Sequence, residues 1–270
     1  KFRSKANFTR LVQVLWSPNI LKGIGPDPPR GASAGASPVV PVKEDPLIIE
    51  SLTVGPIQAN CYILGCEETQ EAVVIDPGGE ADRILMSLAR SNLKLRYIIN
   101  THGHFDHAGA VGRMARDLGL PVEGPHEDDR FLLDTLPQWC AQFGFPACEA
   151  FQPDRWLDEG DRVTFGEQML EVHHCPGHTP GHVIFFQRPG RVAMVGDVIF
   201  EGSIGRTDFP RGDHAAHEQD VIAGLELGFQ RSQEIPGPVL LLVEPRQGLP
   251  DIGAVGAESG GRLQVRDGRV

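Results

Sequence analysis

From residue 47 onward the hydrophobic and polar positions fall into short, sharply punctuated runs. LIIESLTV (47–54), ANCYILGC (59–66) and EAVVIDPG (71–78) are rich in β-branched residues and end in Gly, Pro or acidic turns, the pattern of strands. A Pro-Gly-Gly break then leads into 81–90, whose apolar residues recur at helical spacing. LRYIIN (95–100) is a further strand, and it runs straight into a cluster of histidines. The segment 107–118 predicts one helix with small residues suited to close packing, and 124–160 an acidic loop–helix region. Four more strands follow at RVTF (162–165), MLEVHH (169–174), HVIFFQ (182–187) and RVAMVGDVIF (191–200). Strands alternating with helices on a predominantly β framework predict a layered α/β domain, and no repeat period suggests a solenoid or propeller.

Both ends of the chain differ from this middle. Residues 25–46, dominated by Pro, Gly, Ala and Ser, cannot bury enough apolar surface to order themselves. We therefore expect a disordered extension over 1–46, a folded domain over 47–229, and an atypical, Gly- and Pro-rich tail over 230–270. The first thirty residues carry six basic side chains (Lys1, Arg3, Lys5, Arg10, Lys22, Arg30) against one acid, Asp27. The plainer reading is an upstream extension, although organelle targeting also suits a basic, acid-poor segment.

Charge and cysteine usage narrow the class further. A formal net charge of −11 disfavours nucleic acid or an anionic membrane as partner, and no apolar run is long enough to span a bilayer. The five cysteines (Cys61, Cys66, Cys140, Cys148, Cys175) form no disulfide-rich framework, so a reducing, cytoplasmic compartment is expected. Oligomeric state is not legible.

The chemistry concentrates in Thr101-His102-Gly103-His104-Phe105-Asp106-His107, at the end of a buried-looking strand. In an extended segment His102 and His104 point to the same side. Asp106 and His107, at the turn into a helix, can face the same cavity from another direction. Neutral imidazole and carboxylate suit Zn²⁺ and other borderline divalent ions. The plainer alternative is a solvated, His-rich loop. A second constellation, His173-His174-Cys175-Pro176-Gly177-His178-Thr179-Pro180-Gly181-His182, joins two strands, and Pro and Gly around His178 make a rigid loop. His182 could support the site from behind, and His173 and His174 are weaker candidates. The third element is Asp197, a carboxylate inside the apolar run 192–200, costly unless paired or bound to a cation.

HGHFDH, CPGHTPGH and GDVIF, in this order, resemble the metallo-β-lactamase-fold hydrolases, and most closely the glyoxalase II-like subgroup that lacks the helical glutathione-binding domain. IDPGG (75–79) and GSIGRTDFPRGDH (202–214) support the resemblance, which covers 47–216. It implies a four-layer αββα sandwich with His102, His104 and His178 on a first metal, Asp106 and His107 on a second, and Asp197 bridging the two. Asp76 would be a structural carboxylate beside the site. The implied activity is that of a thioester hydrolase of hydroxyacylglutathione hydrolase type. Water acidified by the metal attacks the carbonyl, and Asp106 orients it as the catalytic carboxylate. Zn²⁺, one or two ions, is the expected cofactor, with iron or manganese also suited, and a small thioester is the expected partner.

The chain departs from that family late. No Pro-Gly-His-Gly segment follows residue 216, IPGPVLLLVEP (235–245) stands where it is sought, and His217 is a poor substitute. A weakened second metal position, or a mononuclear site, is therefore expected. Two further readings stay open: a mononuclear iron sulfur dioxygenase of the same fold using His102, His178 and Asp197, and a family member impaired by its altered C-terminal end.

Overall fold

A computed structural model of the chain describes residues 12–13, 47–200, 203–218 and 240–242, the first and last of these as backbone alone. Two sheets organise the molecule. The first has five strands in the order β2-β3-β4-β5-β6: β2 (Leu47–Val54), β3 (Ala59–Cys66), β4 (Glu71–Ile75), β5 (Lys94–Ile99) and β6 (Val122–Glu123). β2, β3 and β4 pair antiparallel, whereas β4, β5 and β6 are parallel. The parallel step needs a crossover, supplied by α1 (Ala81–Ser91).

The second sheet runs β1-β13-β10-β9-β8-β7. β7 (Arg162–Phe165), β8 (Gln168–His174), β9 (Val183–Gln187) and β10 (Val192–Met194) form an antiparallel meander. β13 (Leu240–Leu242) joins β10 in parallel, and β1 (Val12–Gln13) pairs antiparallel with β13. These two short strands are the described portions of the expected extension and tail; the rest of both lies outside the described residues.

Strand periodicity explains the layering. β3 is buried along its whole length, so it has apolar residues on both faces. Tyr62 and Leu64 join Val73, Ile75, Ile99, Val163, Phe165, Leu170, Val172, Val183 and Phe185 in a core between the two sheets. Cys61 and Ile63 point the other way, toward a core shared with Ile84 and Leu88 of α1 and Met114. A third cluster, Ile184, Ala193, Val195 and Val198, lies on the outer face of the second sheet. The molecule thus has the α/β architecture expected, with a helical layer on the first sheet and the second sheet stacked beneath it.

Two segments depart from the expected elements, both next to the histidines. The single helix expected over 107–118 is divided into α2 (Phe105–Ala108) and α3 (Val111–Leu118). At the break, Ala110 N–H donates to the Pro77 carbonyl at 2.9 Å, tying the turn to the loop after β4. The approach is so close that a Cβ on Gly78 would lie 1.4 Å from the Asp106 carbonyl oxygen. The strand expected over 191–200 stops at Met194 and resumes as β11 (Ile199–Phe200), paired with β12 (Ser203–Ile204). Between them Val198 N–H closes a turn on the Val195 carbonyl, and Gly196 takes a φ of +48°, which a residue without Cβ adopts at little cost.

The acidic region after β6 forms a short 3₁₀ turn (Glu127–Asp129) and the helices α4 (Arg130–Asp134) and α5 (Leu136–Gln142). There Cys140 and Cys148 are joined in a disulfide, at odds with the reducing compartment expected from the lack of a cysteine framework. Their spacing of eight is no framework motif; α5 and the loop after it bring the two together. Among the described residues no helix is long and apolar enough to cross a membrane.

Candidate metal centre

The two-sheet core opens at one edge, where β5, β8 and β10 all end. β5 delivers His102 and His104, and α2 carries Asp106 and His107. The β8–β9 loop carries His178, and the turn after β10 carries Asp197. All six predicted site residues meet there. His102, His107 and His178 are buried, whereas His104, Asp106 and Asp197 lie partly open to solvent and mark the mouth.

One nitrogen from each of His102, His104 and His178 falls within 4.8 Å of the others. His178 Nε2 lies 2.9 Å from His104 Nδ1 and 3.3 Å from Asp197 Oδ2. The second carboxylate oxygen of Asp197 faces the other way, 3.2 Å from His107 Nε2, which is itself 3.8 Å from Asp106 Oδ2. Asp197 therefore stands between a three-imidazole group and an Asp106–His107 group, one oxygen toward each.

The electrostatics of this cluster suit a cation. Burial, and then the neighbouring imidazoles, hold His102 and His104 well below the usual histidine range, and burial likewise lowers His178. They are neutral and can offer lone pairs. Burial opposes the charge on Asp197, but the imidazoles of His107, His178 and His104 outweigh it and hold that carboxyl low. Burial similarly opposes a charge on His107, and the carboxylates of Asp197 and Asp106 override it. Burial raises the Asp106 carboxyl to about 6.

The polar atoms left over make the same point. His102 Nε2 is buried without a hydrogen-bond partner, and His107 Nε2 and Asp197 Oδ1, 3.2 Å apart, face each other without a well-aligned hydrogen bond. Three such atoms converging on one cavity are costly in a core unless something positive lies between them. The donor set of imidazole and carboxylate fits Zn²⁺ or a similar divalent ion.

Asp76 explains why those nitrogens are available. Its Oδ1 accepts Thr101 N–H at 2.7 Å, and its Oδ2 accepts the Thr101 hydroxyl at 2.6 Å and lies 3.1 Å from His107 Nδ1. Thr101 Oγ1 in turn is 3.0 Å from His102 Nδ1. With its carboxylate facing Nδ1–H of His107 directly, and that of His102 through the Thr101 hydroxyl, Asp76 fixes the Nδ1 proton of both rings, so that in the neutral imidazole the lone pair is the Nε2 one turned to the cavity. Its oxygens are occupied on the Nδ1 side, so it stands behind the imidazoles.

The remaining histidines divide cleanly. His182 is buried, stacks on His102 at a centroid distance of 4.6 Å, and accepts Asp197 N–H on Nε2 at 3.1 Å. It orients the bridge-placed carboxylate from behind. His174 Nε2 donates to the Pro180 carbonyl at 2.9 Å, and its ring stacks on His126. His173 Nδ1 meets Glu159 at 3.2 Å, away from the cavity. His217 lies in the helical stretch 214–218, buried, with its Cβ against Gly177. Among the described residues it belongs to no group with metal-holding spacing. Sequence reasoning missed Phe209, whose ring sits edge-on to His104 at 4.7 Å and to His178 at 5.5 Å beneath the Arg206 guanidinium. It gives the mouth an apolar wall.

Residues 54–228 match the Metallo-beta-lactamase superfamily. The chain belongs to that superfamily. Among its relatives, the hydroxyacylglutathione hydrolase GloC of Haemophilus influenzae is 43% identical over 167 residues, 62% of this chain and 78% of that protein. The mitochondrial persulfide dioxygenase ETHE1 of mouse is 35% identical over 164 residues, 58% of this chain and 57% of its own. Among solved structures, TTHA1623 in a di-iron-bound form aligns with a TM-score of 0.60 at 36% identity, covering 66% of this chain and 86% of that one. The BLEG-1 B3 metallo-beta-lactamase aligns with a TM-score of 0.63 at 32% identity, covering 74% and 92%. These likenesses support a metal-dependent hydrolase with a His/Asp site, and they leave the metal's identity and the substrate open.

Proposed function

We propose that this chain is a thioester hydrolase of the hydroxyacylglutathione hydrolase type, holding one or two zinc ions in the cavity between His102 and Asp197. The observation that carries the reading is Asp197, with its two oxygens turned toward two separate donor groups. His102, His104 and His178 would hold one ion and Asp106 with His107 the other, with Asp197 shared. When bound, the metal supplies Lewis acidity, lowering the pKa of water toward ~7 and polarising the substrate carbonyl. The likeness to GloC favours a thioester over other acyl substrates.

The protein's own groups then have distinct tasks. Asp106, partly exposed at the mouth, orients the attacking water. Asp76, through Thr101 and directly, keeps His102 and His107 in the tautomer that presents Nε2 to the cavity. His182 fixes Asp197 through its backbone amide. Phe209 borders the opening with an apolar face against which the acyl or thiol portion of the substrate can lie. Water adds to the carbonyl carbon, the C–S bond breaks, and the sulfur leaves as thiol or thiolate.

The likeness to a persulfide dioxygenase supports a second reading, in which a single iron ion is held by His102, His178 and Asp197. One experiment separates the two. Zinc-reconstituted protein is assayed for hydrolysis of S-D-lactoylglutathione, with His102→Ala as control. Turnover that disappears in the variant is the expected result. Absence of turnover in zinc protein, together with oxygen consumption on a glutathione persulfide by the iron-loaded form, would replace the hydrolase with the dioxygenase.

A further inference from the structure

The two histidine loops arrive from different sheets. His102 and His104 follow β5 of the first sheet, and His178 follows β8 of the second. Their nitrogens nevertheless lie close enough to share an ion, and something must hold the loops at that separation.

Asp129, at the end of the 3₁₀ turn and fully buried, touches both. Its Oδ2 accepts Gly103 N–H at 2.8 Å, from the peptide between His102 and His104. The same oxygen accepts the Thr179 hydroxyl at 2.8 Å, from the residue after His178. Its Oδ1 accepts Gly181 N–H at 2.7 Å, and the neighbouring His126 N–H donates to the Gly181 carbonyl at 3.1 Å. Both glycines are cut to this contact. A Cβ on Gly103 would lie 2.9 Å from Leu132 Cβ and 3.4 Å from Asp129 Cβ, and one on Gly181 2.6 Å from Asp129 N and 2.8 Å from Asp129 Cβ. Burial outweighs the three donors and leaves this carboxyl raised, at about 6, while neutral N–H and O–H groups surround its ionised form.

We propose that Asp129 is a positioning residue: its buried carboxylate clamps the His102–His104 loop to the His178 loop and thereby sets the imidazole separation on which metal affinity depends. The inference rests on the metal-binding part of the proposed function and not on its substrate. An aspartate is required because both oxygens act as acceptors. In Asp129→Asn, whichever way the amide turns, its NH₂ faces a backbone N–H, that of Gly103 or that of Gly181.

The test uses the full chain. In metal-free protein, amide exchange is measured at Gly103 and Gly181. Affinity for Co²⁺ is measured by chelator competition, and the visible absorption of the Co²⁺ form is recorded. In Asp129→Asn we expect both amides to exchange faster, Co²⁺ affinity to fall about 10- to 100-fold, as is typical when a partner behind a ligand is lost, and the absorption envelope to change. Thr179→Val removes one of the three bonds and is expected to act in the same direction more weakly, whereas Thr179→Ser keeps the hydroxyl and should match wild type. If Asp129→Asn does not fold, the Thr179 pair carries the test alone. Unchanged affinity and spectrum in folded Asp129→Asn, or in Thr179→Val where that variant stands alone, would overturn the proposal. A wild type that binds no Co²⁺ overturns it together with the metal assignment. A wild type that binds Co²⁺ but hydrolyses no thioester overturns only the substrate reading.

Discussion

Replacing Asp76 by Asn tests whether the imidazoles are set from behind. Asp76 has a φ of +51°, a left-handed conformation that Asn tolerates as well as Asp, so the backbone is not what changes. The side chain keeps its shape and loses one acceptor. If the amide keeps its oxygen toward Thr101 N–H, its NH₂ replaces Oδ2, where the Thr101 hydroxyl and His107 Nδ1 both meet it. The amide then donates to His107 Nδ1, which moves that ring's proton to Nε2. Donation to Thr101 Oγ1 turns the hydroxyl proton toward His102 Nδ1, with the same consequence. Two imidazoles thus present N–H to the cavity instead of lone pairs. One lost outer partner typically weakens a metal site 10- to 100-fold. With two rings affected, the upper end is expected, about 100-fold, or ~2.8 kcal/mol at 1.4 kcal/mol per decade. Chelator competition with Zn²⁺ on wild type and Asp76→Asn reads this directly, with thermal melting of the metal-free proteins as the control for folding. A folded variant whose Zn²⁺ affinity lies within about threefold of wild type would refute the tautomer argument.

Three further outcomes can be checked. His104→Ala, which deletes one of three imidazoles from the first group, should remove the tighter phase of a Zn²⁺ titration and leave the weaker one; loss of both phases together would argue for one indivisible site. Phe185 is fully buried between the sheets, and Phe185→Ala should cost about 3–5 kcal/mol in denaturant unfolding, with a loss below 1 kcal/mol contradicting the core described here. Burial raises the Tyr97 hydroxyl to about 12, and its O–H donates to the Thr164 carbonyl. A phenol whose folded pKa exceeds its unfolded value of about 10 contributes fully below pH 10, and the contribution is lost as pH climbs from there toward 12. Ultraviolet titration should therefore show a late tyrosinate step that disappears in Tyr97→Phe, and a step near 10 assigned to Tyr97 would contradict its placement.

Where the sequence was readable, it was so because the signal was local. β2, β3 and β7 match the expected strands residue for residue, since turns with Gly, Pro or acids bound each one. HGHFDH was legible because strand alternation and an adjoining helical turn decide where its side chains go. The break at Gly109–Ala110 was not, because it is imposed by the Pro77–Gly78 loop, distant in sequence but in contact in space. The turn at Val195–Val198 was masked by the apolar run around it. Asp129 was hidden most completely. In sequence it is the last of three acids in Glu127-Asp128-Asp129, which reads as a solvated stretch, and only the folded chain buries it between Gly103 and Gly181. The Cys140–Cys148 link likewise has no local signature.

The donors of the cavity come from both halves of the sandwich, His102 to His107 from the first sheet and His178 and Asp197 from the second. An ion held there would act as a rivet through the seam. Its binding would be felt by the whole interface between the sheets, and a substitution deep in that interface, far from any imidazole, would be felt as a change in how firmly the ion is held. Chelation would then loosen the joint between two layers, where a site built on one flexible loop would merely release that loop.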